Sequence, residues 1–362
     1  MFIRRVSYCR RVTRTLENHA AEDGLLDAIP APSGPSPRRG VLIPARVGLV
    51  IGTIFVSIFL AAFHAPRPHD LAVGVVGTPA QVAAISTGLT SNAAGSVKLV
   101  PFGSAGSARG GIEDRSVYGA VVIDADGKTV DLLYAGANGP AVQATLEGIF
   151  QGVAQGSGAT LRPVDVVPAS SGDTRSLSIF YTGFGLVLAG FLFGLISYQM
   201  APRLPLRLRL LSLTAFAATA GTVTTLVAGP TGFNALPGAF ASLAVVAVLL
   251  AGAVAAATVL IMRVAGAIGT MVATVLLLIL GNATGGGTLP VAYLPDWLRP
   301  LADVLPVGLG IRALQGISYF DNDGFAAGVA LLAVWIVGSV TILYAVDRAM
   351  DERRAGKVPL RP

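Results

Sequence analysis

The chain has 362 residues, of which 53% are hydrophobic and only 13% charged, with a mean hydropathy of +0.69. Soluble domains carry about a quarter charged residues, so this composition argues against a purely soluble protein. The formal charge is +6 and the pI near 9.8; because the basic residues gather beside apolar runs, the excess reads as membrane orientation rather than nucleic-acid binding. The single cysteine, Cys9, excludes an intramolecular disulfide, and the three histidines have no thiol neighbours with zinc-ligand spacing.

Residues 1–46 form a basic, Pro-rich tail that cannot bury a core. Its opening run RRVSYCRRVTRTLENHA either sets topology or lies as a short basic helix on an anionic inner leaflet; AIPAPSGPSPRRG, after it, predicts a flexible stretch around Pro30 to Pro37. Residues 47–63, VGLVIGTIFVSIFLAAF, are the first transmembrane helix, covering roughly 25 Å of a ~30 Å hydrocarbon core. Arg46 can snorkel, and the helix can extend back toward Ile43. The long basic lead and the lack of an A-x-A site after the run point to an uncleaved anchor rather than a signal peptide.

Residues 64–176 read as an extracytoplasmic α/β domain. Strands are expected at 70–77, 96–103, 117–124, 129–136 and 161–168. Helices are expected after Thr78-Pro79, around 106–115, and over GPAVQATLEGIFQGVAQ, where Val142, Leu146, Ile149 and Val153 share a face. Asp126-Gly127 marks a hairpin. The alternation predicts a mainly parallel sheet with that hairpin at one edge. Asp124, Asp126 and Asp131 cluster there, as turn residues rather than a cation site.

Residues 177–346 read as a five-helix membrane domain with spans at 177–199, 210–228, 238–262, 264–281 and 325–346, none containing Asp, Glu, Lys or Arg. Arg263 marks a tight turn, because one helix through it would be twice the thickness of the hydrocarbon core. The whole is thus a polytopic α-helical membrane protein with six transmembrane helices and an α/β extracytoplasmic domain between the first and second. Six spans place both termini on one side. That side holds most of the 26 Lys and Arg, including Arg203, Arg207, Arg209, Arg263 and those of the tails, so it is cytoplasmic. The expected location is the plasma (inner) membrane, with 347–362 as a second cytoplasmic tail. Arg203, Arg207 and Arg209, between the second and third spans, are either anchors of this orientation or a docking surface for a cytoplasmic partner.

At about 290–317, two short amphipathic helices are expected to dip into the outer leaflet. Leu294, Trp297, Leu298 and Leu301 form the stripe of the first; Pro306 ends it, and Arg312 lies opposite the apolar face of the second. These five residues are a candidate outer gate. Gly48 and Gly52 in the first span, and Gly190 and Gly194 in the second, are candidate helix-packing seams, within the chain or between protomers.

The six-span order resembles that of type-2 ABC transporter permeases, most closely the YhgE/Pip-like branch with its large outside domain. The segment LGNATGGGTLPVAYLPDWLRPLADVLPVGLGIRALQG carries the resemblance, with Leu294-Pro295, Leu305-Pro306 and Arg312 at the matching positions; SARGGIEDRSVYGAVVID is similar to a further element of the branch. The resemblance implies a half-transporter that forms a homodimer or a heterodimer with a second permease. It also implies a separate ATP-binding subunit touching the loop that holds Arg203, Arg207 and Arg209, with membrane lipids as surroundings and no nucleic acid. The chain itself has no Walker A sequence and no G-x-G-x-x-G after a strand, so no cofactor is expected. No Ser/His/Asp set is placed for catalysis, and the charge-free spans argue against proton or sodium coupling. The expectation is an exporter permease, not an enzyme, for a lipophilic or envelope-related substrate; the alternative is an envelope receptor or scaffold binding through 64–176.

Overall fold

The computed structural model describes residues 37–92 and 95–355. The basic residues before Pro37, Arg4, Arg5, Arg10, Arg11 and Arg14 among them, lie outside this range, as do the stretch 30–36, Lys357 and Arg361. Helix α1 (Pro37–Phe63) reaches further back than the predicted span and carries Pro44 within it. The chain divides into two compact units inside this helix, between Thr53 and Ile54. The first unit holds the start of α1; the second, residues 54–362, holds all that follows.

Within the second unit, a five-stranded sheet is built from β1 (Leu71–Val76), β2 (Val97–Pro101), β3 (Gly119–Ile123), β4 (Thr129–Tyr134) and β5 (Thr160–Asp165), in the order β2-β1-β3-β4-β5. Only β3 and β4 pair antiparallel. The expected hairpin is therefore present, but in the middle of the sheet and not at its edge: β5 adds parallel to β4 beyond it. Two helices cover one face, α2 (Pro79–Asn92) and α4 (Pro140–Gly156), burying Leu71, Val73, Val121, Leu132, Leu146 and Phe150. Helix α3 (Ala105–Glu113) covers the other with Ala108 and Ile112, its start fixed by a capping box between Ser104 and Ser107. Each fully buried Leu or Phe here contributes about 1.5–3 kcal/mol.

The helical part contains α5 (Ser178–Met200), α6 (Leu206–Ala228), α7 (Phe240–Ala265), α8 (Gly269–Thr284) and α11 (Phe325–Ala355). Among the described residues, five helices, α1, α5, α6, α7 and α11, are long and apolar enough to cross a membrane, and the protein is membrane-embedded. Helix α8 is shorter, roughly 24 Å at α-helical rise, and its middle, Thr274–Leu280, is wound as a π-helix. The turn before it falls at Gly266, at φ +57°, just beyond the expected Arg263.

Helix α7 is the hub, because its run Ala251-Gly252-Ala253-Val254-Ala255-Ala256-Ala257 is buried throughout. Small side chains let α5, α6 and α11 approach it closely. A Cβ on Gly221 of α6 would overlap the Val248 backbone nitrogen. Buried hydroxyls and amides in the bundle bond back to their own helix: Thr258 Oγ1 donates to Val254 O at 2.8 Å, and Asn282 Nδ2 to Leu278 O at 2.7 Å.

Between α8 and α11 the chain forms a 3₁₀ turn (Val291–Tyr293), then α9 (Arg299–Val304) and α10 (Pro306–Tyr319). The expected leucine stripe does not lie on one helix. Leu294 is extended, with Pro295 following it, and α9 begins only at Arg299. Leu294 and Leu298 are buried against Ala62 of α1, with Leu301 half-buried beside them. Nor does α10 lie on a surface: its Val307, Ile311 and Leu314 belong to the bundle core. Glycines admit it, since a Cβ on Gly310 would meet Leu250 at 2.8 Å and one on Gly316 would overlap the Asp323 carbonyl.

Candidate functional site

Two polar sites frame the bundle. The first is a chamber of about 400 Å³ under the sheet, lined among others by His69, Arg115, Tyr118, Arg299, Asp303 and Arg312. Arg115 follows α3 and adopts φ +60°, a left-handed conformation that turns the chain sharply toward β3. Its guanidinium donates from Nη2 to Gln315 Oε1 at 2.9 Å and lies 3.5 Å from Asp323 Oδ2. It also lies 4.9 Å from the centre of the Phe320 ring. Burial lowers the Arg115 pKa, opposed by Tyr118 and Asp323; an arginine stays protonated all the same. Burial pushes the Tyr118 phenol up, with Arg115 and Arg312 opposing, so it is neutral at physiological pH.

Asp323 serves two cations, because Arg312 Nη2 also approaches its Oδ2 at 3.3 Å. The Arg312 stem packs on Gly324, at φ +75°, where a Cβ would lie 2.9 Å from Arg312 Cγ. Arg299 closes the other wall. Its Nε donates to Leu294 O at 3.0 Å, its Nη2 to Ala292 O at 3.3 Å, and its Nη1 pairs with Asp296 at 3.2 Å. The His69 N–H donates to Ala292 O at 3.1 Å, tying the start of β1 to the same turn. Every arginine of the chamber is thus spent on a carboxylate or carbonyl. The chemistry this permits is mechanical: the cluster fastens the sheet to α10 and to the turn before α9.

The second site lies where α5, α6, α7 and α11 end together. The three arginines, equivalent in sequence, separate in space: Arg203 lies in the loop and Arg207 and Arg209 in the first turn of α6, and Arg203 and Arg207 are exposed whereas Arg209 is buried. Arg209 Nη2 donates to Ala201 O at 2.9 Å, and its guanidinium lies 5.9 Å from the Tyr198 ring centre. It therefore clamps the loop between α5 and α6. Beside it, Arg263 at the end of α7 pairs with Asp347 of α11 at 2.7 Å. A groove of about 480 Å³ runs between them, lined by Arg203, Leu206, Arg348, Asp351 and Glu352 among others.

Of the remaining candidates, Trp297 is exposed, and Arg312 belongs to the chamber with a half-exposed side chain. Gly190 and Gly194 face α7 within the chain: a Cβ on Gly190 would meet Ala251 O at 2.8 Å, and one on Gly194 Thr258 Cβ at 2.7 Å. Among the described residues, nothing lies within 4 Å of a Cβ built on Gly48 or Gly52. Asp126 accepts from the Lys128 N–H inside its own hairpin, and Asp131 pairs with Arg162 at 2.6 Å. Arg115, Gln315, Phe320 and Asp323 are the members of this cluster that sequence reading missed. Their meeting joins residues about two hundred positions apart, and only the DND turn before Gly324 hinted at one of them. Comparison with models of protein families, with curated proteins and with solved structures finds no match to this chain.

Proposed function

We propose that the chain is the membrane subunit of an exporter that moves a lipophilic or envelope-related substrate outward with energy from a separate ATPase. The resemblance to type-2 ABC transporter permeases of the YhgE/Pip-like branch supports this reading. In this reading α8, although short, crosses the bilayer as the fifth of six spans, both tails are cytoplasmic, and two permease chains pair. Trp297, Leu301 and Arg312 then edge the outer exit, beside the chamber.

The observation that supports the reading most directly is the division of labour among three arginines. Buried Arg209 ties the loop to α6 through Ala201, and Arg203 in the loop and Arg207 in the first turn of α6 project beside it. A rigid basic loop is suited to receive force from a cytoplasmic motor; a plain topology anchor needs no clamp.

The test replaces Arg203 and Arg207 with Gln and leaves Arg209 intact. Recovery of the ATPase with the affinity-tagged permease should fall about tenfold, the loss of two exposed ion pairs of roughly 0.7 kcal/mol each. Membrane insertion should be unchanged, since the remaining basic residues still set orientation. Equal recovery of the ATPase would reduce both residues to anchors.

A further inference from the structure

We infer that the sheet domain carries a binding site of its own for a lipophilic molecule with a single aliphatic chain, in a cleft at the opposite end of the sheet from the chamber. Two independent observations lead there. The first is topology. Helix α2, between β1 and β2, lies on one face of the sheet, and α3, between β2 and β3, lies on the other. The strand order thus reverses at the β1/β3 seam, where α2 leaves β1 on one face and β3 runs on into the hairpin. Open α/β sheets form a ligand crevice at the carboxyl ends of the strands at such a point.

The second is a cavity beside that seam, over the carboxyl end of β3 and the start of β4. It measures about 450 Å³, within the range of small-molecule sites. Its surface comes mainly from Ile85, Val121, Ile123, Val130, Phe150 and Val153, between α2 and α4. Glycines on the two helices, Gly88, Gly152 and Gly156, leave the space open. From Gln81 to Gly88 the cleft follows α2 for roughly 10 Å, a run along which an extended aliphatic chain can lie.

The polar groups at the mouth are already engaged. Gln81 Oε1 accepts from the Thr78 N–H at 2.8 Å, and its Nε2 donates to Asp124 O at 3.4 Å. Ser157 Oγ donates to Ala154 O at 2.9 Å. A polar or charged ligand would find no free partner among these and would lose its own hydration. An apolar body loses nothing and removes Ile, Val and Phe surface from water. Its head would emerge beside Gly127, at a hairpin whose Asp124, Asp126 and Lys128 are exposed. β3 separates the cleft from the chamber: Tyr118, before its first residue, lines the chamber, and Ile123, its last, lines the cleft. The site stands whether or not the chain couples to a motor.

The experiment uses the full-length protein in its membrane and a fatty acid bearing a diazirine near its chain end, with crosslinks mapped by peptide mass spectrometry. Label should concentrate on the peptides of α2 and α4. Gly88→Leu and Gly152→Leu fill the cleft from opposite sides, and each should lower that label about tenfold. Labelling of the lipid-facing helices should stay constant and serves as the internal reference. A thermal midpoint matching that of the wild type shows that the filled variants remain folded. Native mass spectrometry of the unlabelled protein separates the sources: an adduct of lipid mass that Gly88→Leu removes identifies a membrane lipid. Wild-type protein free of adduct that still takes up label indicates a soluble lipophile. Label on α2 and α4 no greater than on β2 and α3, or unchanged in both folded variants, overturns the site.

Discussion

At the residue scale, Arg115 shows how one side chain can join two parts of a protein. Its backbone sits in a conformation that most residues avoid, and its guanidinium meets Gln315, Asp323 and Phe320 at the far end of α10. Asparagine tolerates the left-handed conformation, so Arg115→Asn removes the guanidinium without adding backbone strain. Thermal unfolding of the full-length protein should show a loss of roughly 1–3 kcal/mol. The loss should not be larger, because Asp323 keeps Arg312 as a partner. An unchanged midpoint would mean that the fastening resides elsewhere. Charge alone, read along the chain, could not find this residue: Arg115 looks like any surface arginine after a helix. The same limit applies to Arg209, which stands two positions from Arg207 and is turned inward only by the register of α6.

At the scale of elements, the strands and helices of the sheet domain were readable because each carries its own signal. Alternating Val and Leu mark β1 and β4, Asp126-Gly127 the hairpin, and Thr78-Pro79 the start of α2. The placing of the hairpin was not readable. It depends on β5 pairing with β4, and β5 is largely exposed and holds Pro163, as suits an edge strand. The outer segment misled for a related reason. Its leucines recur at helical spacing, but Pro295 and Pro300 delay the helix, and the glycines of α10 draw that helix into the core. Helix seams give a direct test. Gly194→Val would press a branched side chain against Thr258 and the Ala255 carbonyl, costing about 1–3 kcal/mol by overpacking. Gly48→Val and Gly52→Val enter open space and should leave the thermal midpoint unaltered. If paired permeases meet at that seam, the same two changes should lower chemical crosslinking between protomers.

At the scale of the whole molecule, the orientation read from basic residues remains open to a direct check. Reporter fusions after Val76 or Gly158 should register as outside and a fusion after Pro362 as cytoplasmic, as six spans require. A C-terminal fusion registering as outside would leave α8 as a helix that enters the bilayer without crossing it.

The sheet domain is also less self-sufficient than its contiguous stretch of sequence suggests. Tyr293 fills a place in the core on one face of the sheet, and Phe320 fills one on the other; both are almost completely buried. Neither belongs to residues 64–176. During synthesis, all five strands leave the ribosome more than a hundred residues before these two aromatic rings are made, although domains commonly fold in the order in which they emerge. The sheet is therefore expected to stay incompletely packed until Tyr293 and Phe320 are in place, and in a chain truncated before Phe320 residues 64–176 should be cut by protease faster than in the full chain.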